Sequence, residues 1–390
     1  MKKFLAILLA VLMLVALMTA CGSSTEPEPS AEPAPADDGG EGTEEGGSNG
    51  SILYFVSRIG DFGFGDLGNE ITTALAQEYN YDRIMVEYGA DSSIAETSLL
   101  DAIEENDYDF VVASSWYIED AILNNSKDHP DTHFLIFDTG PTDEWDNDNV
   151  YGVAFGQNEG SFLCSVYEAA MTKTGKIGAL VRSDTPILND FYTGWLNGVE
   201  YADSELGLPV EAYGAYLGTQ PVVSDSYETA VVMLDAGCDI VYSIAGNLIL
   251  GCTQAMDEKG GEDAGYMVLG VDYDQWSYFA NVEVEGAVGT NMILTSMTKE
   301  IPAVVRIMFE GVLDGTLEPG NGWYGIAKEG VKLADNARYQ EATPQDVKDT
   351  INKVTDDIIS GAYKVKSYYD FATYDDFAAY RDGINHTTAG

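Results

Sequence analysis

Short apolar runs alternate with amphipathic stretches along most of this 390-residue chain, and that alternation restricts its fold more than any other feature. The runs Ile52–Val56, Ile84–Tyr88, Phe110–Ala113, Phe134–Asp138 and Val150–Phe155 read as strands, separated by helical patterns at Glu70–Tyr79, Ile94–Glu105 and Ile118–Asn125. A second block repeats the scheme. Its strands are Ile177–Val181, Val210–Tyr216, Ile240–Ile244 and Met267–Val271, and its helices Glu159–Met171, Phe191–Ala202, Tyr227–Ala236 and Leu248–Lys259. Near-continuous apolar strands separated by amphipathic helices belong to parallel sheets covered on both faces. Two such blocks predict an α/β protein of two doubly wound parallel-sheet lobes facing each other across a cleft. Beyond them, Val304–Leu313 and Pro344–Ser360 read as helices and Trp323–Ile326 as a strand, too few elements for a third domain. They are expected to complete the two sheets, so the chain passes between lobes more than once. The expected partition is 51–155 with about 287–316 as the first lobe, 156–286 with about 317–365 as the second, and 366–390 as a C-terminal extension. The crossings would then fall near Gly156, Gly286 and Gly315–Glu318.

The N-terminal 50 residues are of a different kind. Lys2 and Lys3 precede an apolar run from Phe4 to Met18 and the small residues before Cys21. A short positive region, a brief apolar region and a small-residue cleavage point describe an export signal over residues 1–20. The apolar run is shorter than the ~20 residues a membrane span needs. Thr19-Ala20-Cys21-Gly22 resembles a bacterial lipoprotein cleavage site, with Met18 where Leu is commoner, which makes Cys21 the expected point of acylation, with palmitate among the acyl chains. The stretch that follows, through Gly50, is almost wholly Ser, Thr, Glu, Pro, Ala, Asp and Gly. It has nothing to bury and reads, over 21–50, as an extended acidic tether to the outer face of the cell membrane.

Charge narrows the partners. With 65 acidic against 19 basic residues the formal charge is −46, which argues against nucleic acid and against anionic membrane surfaces, and leaves neutral or cationic solutes. Cys164, Cys238 and Cys252 stand in apolar surroundings without metal-ligand or disulfide spacing and read as core residues. No loop has calcium-ligand spacing, and neither metal nor cofactor is expected.

In open parallel sheets, ligands sit beyond the carboxyl ends of the strands. The residues falling there are Asp61, Phe64 and Asp66 after the first strand, Ser114, Ser115 and Trp116 after the third, and Asp138 at the end of the fourth. In the second block they are Asp184, Asn189 and Phe191, then Gly246 and Asn247, then Asp272 and Asp274. A carboxylate accepts from both hydroxyls of a vicinal diol, so Asp residues suit a sugar. Rings such as Phe64, Trp116, Phe191, Tyr242 or Trp276 could stack on a base, although an aromatic taken singly is more often core. A single Asp at a strand end is, equally, often a helix cap.

These loops carry a family resemblance. Val268-Leu269-Gly270-Val271-Asp272-Tyr273-Asp274-Gln275 resembles the V-I-G-V-D-x-D-Q signature of the basic membrane protein lipoproteins, a family that includes purine nucleoside receptors of ABC-type importers. Thr295-Ser296-Met297-Thr298-Lys299 resembles the family's T-S-x-x-K element, and Gly175-Lys176-Ile177-Gly178 its G-K-V-G. Phe191-Tyr192-Thr193-Gly194-Trp195-Leu196-Asn197-Gly198 is similar to F-x-x-G-F-x-x-G, and the likeness spans nearly all of 51–365. The resemblance implies a fold like that of the first structural type of periplasmic binding protein. It also implies that Asp272 holds ribose hydroxyls with Lys299 beside it, that Asp138 lies near the ligand, and that Gly246 lets backbone approach it. Gly60-Asp61-Phe62-Gly63-Phe64-Gly65-Asp66 resembles G-D-x-S-F-N-D, but Gly63 and Gly65 replace Ser and Asn, so the sugar anchor is kept while the base-reading loop is rewritten.

The expected activity is capture of a small polar ligand, a nucleoside with purines favoured, for an ABC permease and its ATPase. A sensor or surface receptor of the same fold, or a plain sugar-binding protein, remains open on sequence alone. A nucleoside-cleaving enzyme is the less favoured alternative: His129, His133 and His386 lie away from the expected cleft edges, and no nucleophile elbow or phosphate loop is present.

Overall fold

The computed structural model describes residues 47–89, 92–141 and 145–386; the export signal, Cys21 and nearly all of the acidic tether lie outside the described residues. Folded structure starts three residues earlier than the sequence suggests. The Asn49 amide donates to the Asn80 carbonyl (2.7 Å), the Asn49 side chain to the Tyr79 carbonyl (2.8 Å) and the Ser48 hydroxyl to Asp82 (2.7 Å), so 48–50 are fixed rather than part of a free tether.

Twelve strands form two six-stranded sheets. In chain order they are β1 Ser51–Val56, β2 Asp82–Glu87, β3 Phe110–Ser114, β4 His133–Phe137, β5 Val150–Phe155, β6 Lys176–Val181, β7 Glu211–Tyr216, β8 Ile240–Ile244, β9 Met267–Asp272, β10 Ile293–Lys299, β11 Gly320–Tyr324 and β12 Val331–Leu333. The first sheet runs β11-β5-β4-β3-β1-β2 and the second β12-β10-β9-β8-β6-β7. Every pairing is parallel except β12 on β10. The two orders match element for element, which makes the lobes pseudo-repeats of one doubly wound unit, the architecture of a type I periplasmic binding protein. Central strands are buried along their whole length because helices cover both faces, whereas the edge strands β2 and β7 are half exposed. That is why the sequence shows continuous apolar runs rather than alternation.

The elements after β9 depart from the expected partition. Ile293–Lys299 is a central strand of the second sheet, not part of the first lobe, and Gly320–Tyr324 belongs to the first sheet, not the second. The polar residues in Ile293–Lys299 concealed a fully buried strand. Their demands are met internally: the Thr295 hydroxyl donates to the Ala334 carbonyl (2.8 Å) and Ser296 Oγ accepts from the Gln275 amide (3.2 Å). The helix Ile301–Leu313 does join the first lobe, where Phe309 packs on Tyr79, Tyr81 and Phe110. The chain therefore crosses between lobes at Gly156, Glu300 and Gly325 rather than at Gly286 or Gly315–Glu318. Two of the crossings touch: the Gly156 amide donates to the Tyr324 carbonyl (2.9 Å), and a Cβ on Gly156 would lie 2.6 Å from the Gly325 Cα. The Glu159 carboxylate accepts the Ile326 amide (2.7 Å) and ties them together.

Two helices, Gln157–Met171 and Pro186–Ser204, form the main packing layer of the second lobe, and the glycines of the F-x-x-G-F-x-x-G element explain their closeness. A Cβ on Gly194 would meet the Asn158 carbonyl oxygen at 2.0 Å, and one on Gly198 the Ser165 hydroxyl at 1.9 Å and the Phe162 carbonyl at 2.6 Å. Adding one carbon here separates the helices. Gly198→Ala is expected to lower stability by about 1–3 kcal/mol, although alanine is the better helix former by about 1 kcal/mol. The urea midpoint of the purified protein checks this, and a midpoint at or above wild type would show that the helices are not in this contact.

Candidate functional site

The carboxyl ends of β1, β3, β4, β6, β8 and β9 all open on the space between the lobes, and the backbone there is unusual. Six described non-glycine residues have positive φ: Phe62, Asn80, Ser115, Asp138, Asp272 and Glu329. Four of these lie on the cleft edge: Ser115 and Asp138 directly after β3 and β4, Asp272 ending β9, and Phe62 in the loop after β1. Left-handed backbone costs side-chain-bearing residues energy and gathers where a side chain must be aimed. Asp138 (φ 70°), immediately after β4, and Asp272 (φ 63°), ending β9, are equivalent positions of the two pseudo-repeats.

Between these carboxylates lies Lys299, the last residue of β10. Its ammonium is 2.5 Å from Asp138 Oδ1 across the cleft and 3.8 Å from Asp272 Oδ1 in its own lobe. Lys299 and Asp138 are 3 % and 5 % exposed, so the pair is almost dry. Three rings surround the cation: Phe191 at 4.8 Å, Phe155 at 5.6 Å and Phe64 at 5.8 Å from the ring centroid. Phe64 is steadied by an edge contact with Phe137 (5.5 Å). Charge pairing and ring faces together offset the desolvation of a buried ammonium. Asp272 differs from Asp138. One oxygen, Oδ1, has no hydrogen-bond partner, and burial, opposed by Lys299 but reinforced by the Asp138 and Asp61 charges, pushes its carboxyl up to about 6. An acceptor held without a donor is ready for a ligand hydroxyl.

The β1 loop closes the other side. Asp61 accepts the amides of Gly63 (3.1 Å), Gly65 (2.9 Å) and Asp66 (3.3 Å), and Asp66 those of Gly60 (2.7 Å) and Phe62 (3.0 Å). Asp66 shapes the loop, and Asp61 both shapes it and accepts first-turn amides of the helix Phe64–Tyr79, so their first role is structural. The loop rests on the opposite lobe. Phe62 packs at a tilt on Tyr278 (5.0 Å) and edge-on to Phe279 (5.4 Å), a Cβ on Gly63 would sit 3.5 Å from Asp272 Cβ, and one on Gly246 3.6 Å from the Asp61 carbonyl. Gly65 is a steric necessity, since its Cβ would meet the Arg58 carbonyl at 2.3 Å.

Of the expected site residues, Phe64, Asp138, Phe191, Asp272 and Lys299 converge on one point, and Asp61, Asp66 and Gly246 lie beside it. Others do not reach it. Asp274 caps the helix Gln275–Asn281 and holds Asn336 (2.7 Å), Tyr242 is core, Trp276 packs in the second lobe's outer cluster, and Asn189 bonds Asp184 and Tyr216. The sequence reading missed Asp190, fully buried beside Phe191, whose oxygens take the Gln157 side chain (2.7 Å), the Ser367 hydroxyl (2.6 Å) and the Tyr368 amide (2.9 Å). Its signal was an acidic residue inside an otherwise buried helical stretch. Arg182 was missed as well: it is half-buried at the end of β6, and its guanidinium is held below its ordinary value first by desolvation and then by the charge of Arg58.

Two sheets of matching order with their carboxyl edges facing across a charged, ring-lined cleft define a solute-binding protein. Residues 51–365 match the family of PnrA-like ABC transporter substrate-binding proteins, and the chain belongs to that family. It is 27% identical to the ABC transporter nucleoside-binding protein BmpA of Lactococcus lactis subsp. cremoris, over 70% of this chain and 75% of that one. It is 25% identical to basic membrane protein A of Borreliella afzelii over 76% of this chain and 86% of the relative. An ABC transporter solute-binding protein from Aeropyrum pernix superposes with a TM-score of 0.73 at 20% identity, over 86% of this chain and 98% of that structure. No helix among the described residues is long and apolar enough to cross a membrane.

The raised carboxyl of Asp272 has a stability consequence. Its folded value, about 6, lies above the ordinary 3.8, so the folded state binds the proton more tightly and the cost of keeping Asp272 charged grows as pH rises through that window. Asp272→Asn is expected to be more stable than wild type at pH 7.5, by about 1–2 kcal/mol, with the difference shrinking toward zero by pH 4. Denaturant midpoints of both proteins across that range measure it; an equal or lower midpoint for the variant at pH 7.5 would show the carboxylate to be well solvated.

Proposed function

We propose that this protein is an extracytoplasmic receptor, anchored through acylated Cys21, that holds a nucleoside between its lobes and delivers it to an ABC permease. The observation that carries the reading is the Asp138–Lys299–Asp272 constellation. A pentose with vicinal hydroxyls can donate to the unpartnered Asp272 oxygen while accepting from the Lys299 ammonium, and the surrounding rings of Phe64 and Phe191 supply apolar faces for sugar or base. The carboxylate majority around one ammonium favours an uncharged ligand over a nucleotide. The Lactococcus relative, named as nucleoside-binding, supports the same class. Purines are favoured by the family resemblance. Base selectivity, however, falls to side chains other than those at positions 63 and 65, which are glycines here.

Titration calorimetry of the full chain with purine and pyrimidine nucleosides, free bases, ribose and nucleotides tests the reading. Purine nucleosides are expected to bind at micromolar or lower Kd, ribose and free bases far more weakly, and nucleotides not at all. Asp272→Ala should weaken nucleoside binding by about 2–4 kcal/mol, because a ligand hydroxyl loses its buried acceptor. An unchanged Kd for that variant removes Asp272 from the site. Cys21→Ser, followed by alkyne-palmitate labelling in cells, tests the anchor, with loss of the label expected.

A further inference from the structure

The loop after β1 carries a ring that its own lobe does not use. Phe62 has left-handed backbone (φ 58°), uncommon for a residue with a side chain, and it is packed into none of the apolar clusters of the two lobes. Among the described residues, its two ring contacts are both with the second lobe, at Tyr278 (5.0 Å) and Phe279 (5.4 Å) of the helix Gln275–Asn281. The backbone beneath the ring is fixed. The Phe62 amide donates to Asp66 (3.0 Å), and those of Gly60, Gly63, Gly65 and Asp66 donate to the Asp61 or Asp66 carboxylate. A ring held out on strained backbone by a fastened loop is there to meet a partner, and the partner is the opposite lobe.

The neighbouring residues show what this contact stands beside. A Cβ on Gly63 would lie 3.5 Å from Asp272 Cβ and 4.0 Å from Tyr273 Cβ, so the loop backbone rests on the residue whose Oδ1 lacks a partner. Phe64, two residues beyond Phe62, turns instead to Lys299 (5.8 Å) and to Phe137. Tyr273 in turn braces Tyr278 edge-on (5.7 Å). Phe62 therefore bridges the lobes next to the Asp272–Lys299 group. The family motif leaves position 62 open, so the resemblance assigns this ring no role.

We propose that Phe62 is the retention latch of the cleft: its ring, seated on Tyr278 and Phe279, holds the 60–66 loop over Asp272 and sets how long a bound ligand stays. A ligand leaving Asp272 on this side must first part the ring contact, so the latch acts on dissociation rather than on encounter. That the ligand is a nucleoside rests on the function proposed above; the contact between the lobes does not.

Stopped-flow association and dissociation of inosine, adenosine and guanosine should be measured on full-length wild type, Phe62→Ala, Tyr278→Ala, the double variant and Phe62→Tyr. Each single alanine variant is expected to release nucleoside at least tenfold faster, with association changed less than threefold, and Phe62→Tyr to stay within threefold of wild type. Because the two rings act through one contact, the double variant should release no more than twofold faster than Phe62→Ala. Release by Phe62→Ala less than threefold faster than wild type, or single effects that multiply in the double variant, overturns the proposal. If wild type binds none of the three nucleosides, the functional reading fails and amide exchange of the ligand-free proteins decides the latch alone. Faster exchange in Tyr278→Ala confined to residues 60–66 and the helix carrying the change supports it; identical or generally faster exchange overturns it.

Discussion

A single ammonium, that of Lys299, sits where the two halves of this protein meet, and its need for counter-charge organises the site. In water a lysine is content alone; in a nearly dry junction it requires partners, and it finds one carboxylate from each lobe and the faces of three rings. Asp138 comes from the first lobe and Lys299 from the second, so the ion pair joins the two lobes directly beside the Glu300 crossing. A ligand that adds hydrogen bonds to this group favours whichever arrangement of the lobes makes them. The unpartnered oxygen of Asp272 marks where the added bonds can be made.

The rest of the fold supports that junction. The Asp138 and Asp272 carboxylates point into the cleft because both residues take left-handed backbone at equivalent strand ends, a strain the surrounding sheets overcome. Two of the three crossings, at Gly156 and Gly325, lie against each other with Glu159 holding the second, so the hinge is compact, and small rotations there translate into movement at the distant rim. The near-fusion of the helices Gln157–Met171 and Pro186–Ser204 makes the second lobe a rigid carrier for Phe191 and Asp190.

Asp190 links this interior to the surface. One carboxylate accepts from the first of those helices through Gln157 and from the C-terminal segment through Ser367 and Tyr368, so that segment and the helix layer share a buried group. Burial pushes its carboxyl up to about 6, as it does for Asp272, and both carboxylates gain protons over the same acidic window.

The chain's periodicity alone determined the two α/β lobes, most of their strands and helices, and the edge on which the site lies, because central parallel strands must be apolar throughout and ligands collect at their carboxyl ends. Family resemblance added Lys299 and singled out Asp272 among the strand-end carboxylates. What periodicity could not reveal was partnership. It does not say which sheet a strand such as Ile293–Lys299 joins once Thr and Ser interrupt its apolar run, nor where the chain crosses between lobes. It does not say that Asp61 and Asp66 turn inward to their own loop, while Asp138 reaches across to a lysine 161 residues away. Nor does it fasten Ser367 and Tyr368, from a segment that looks like a tail, to the buried Asp190. A residue's face on a strand or helix follows from local spacing; the identity of the group opposite depends on how distant elements pack, and only the tertiary structure decides that.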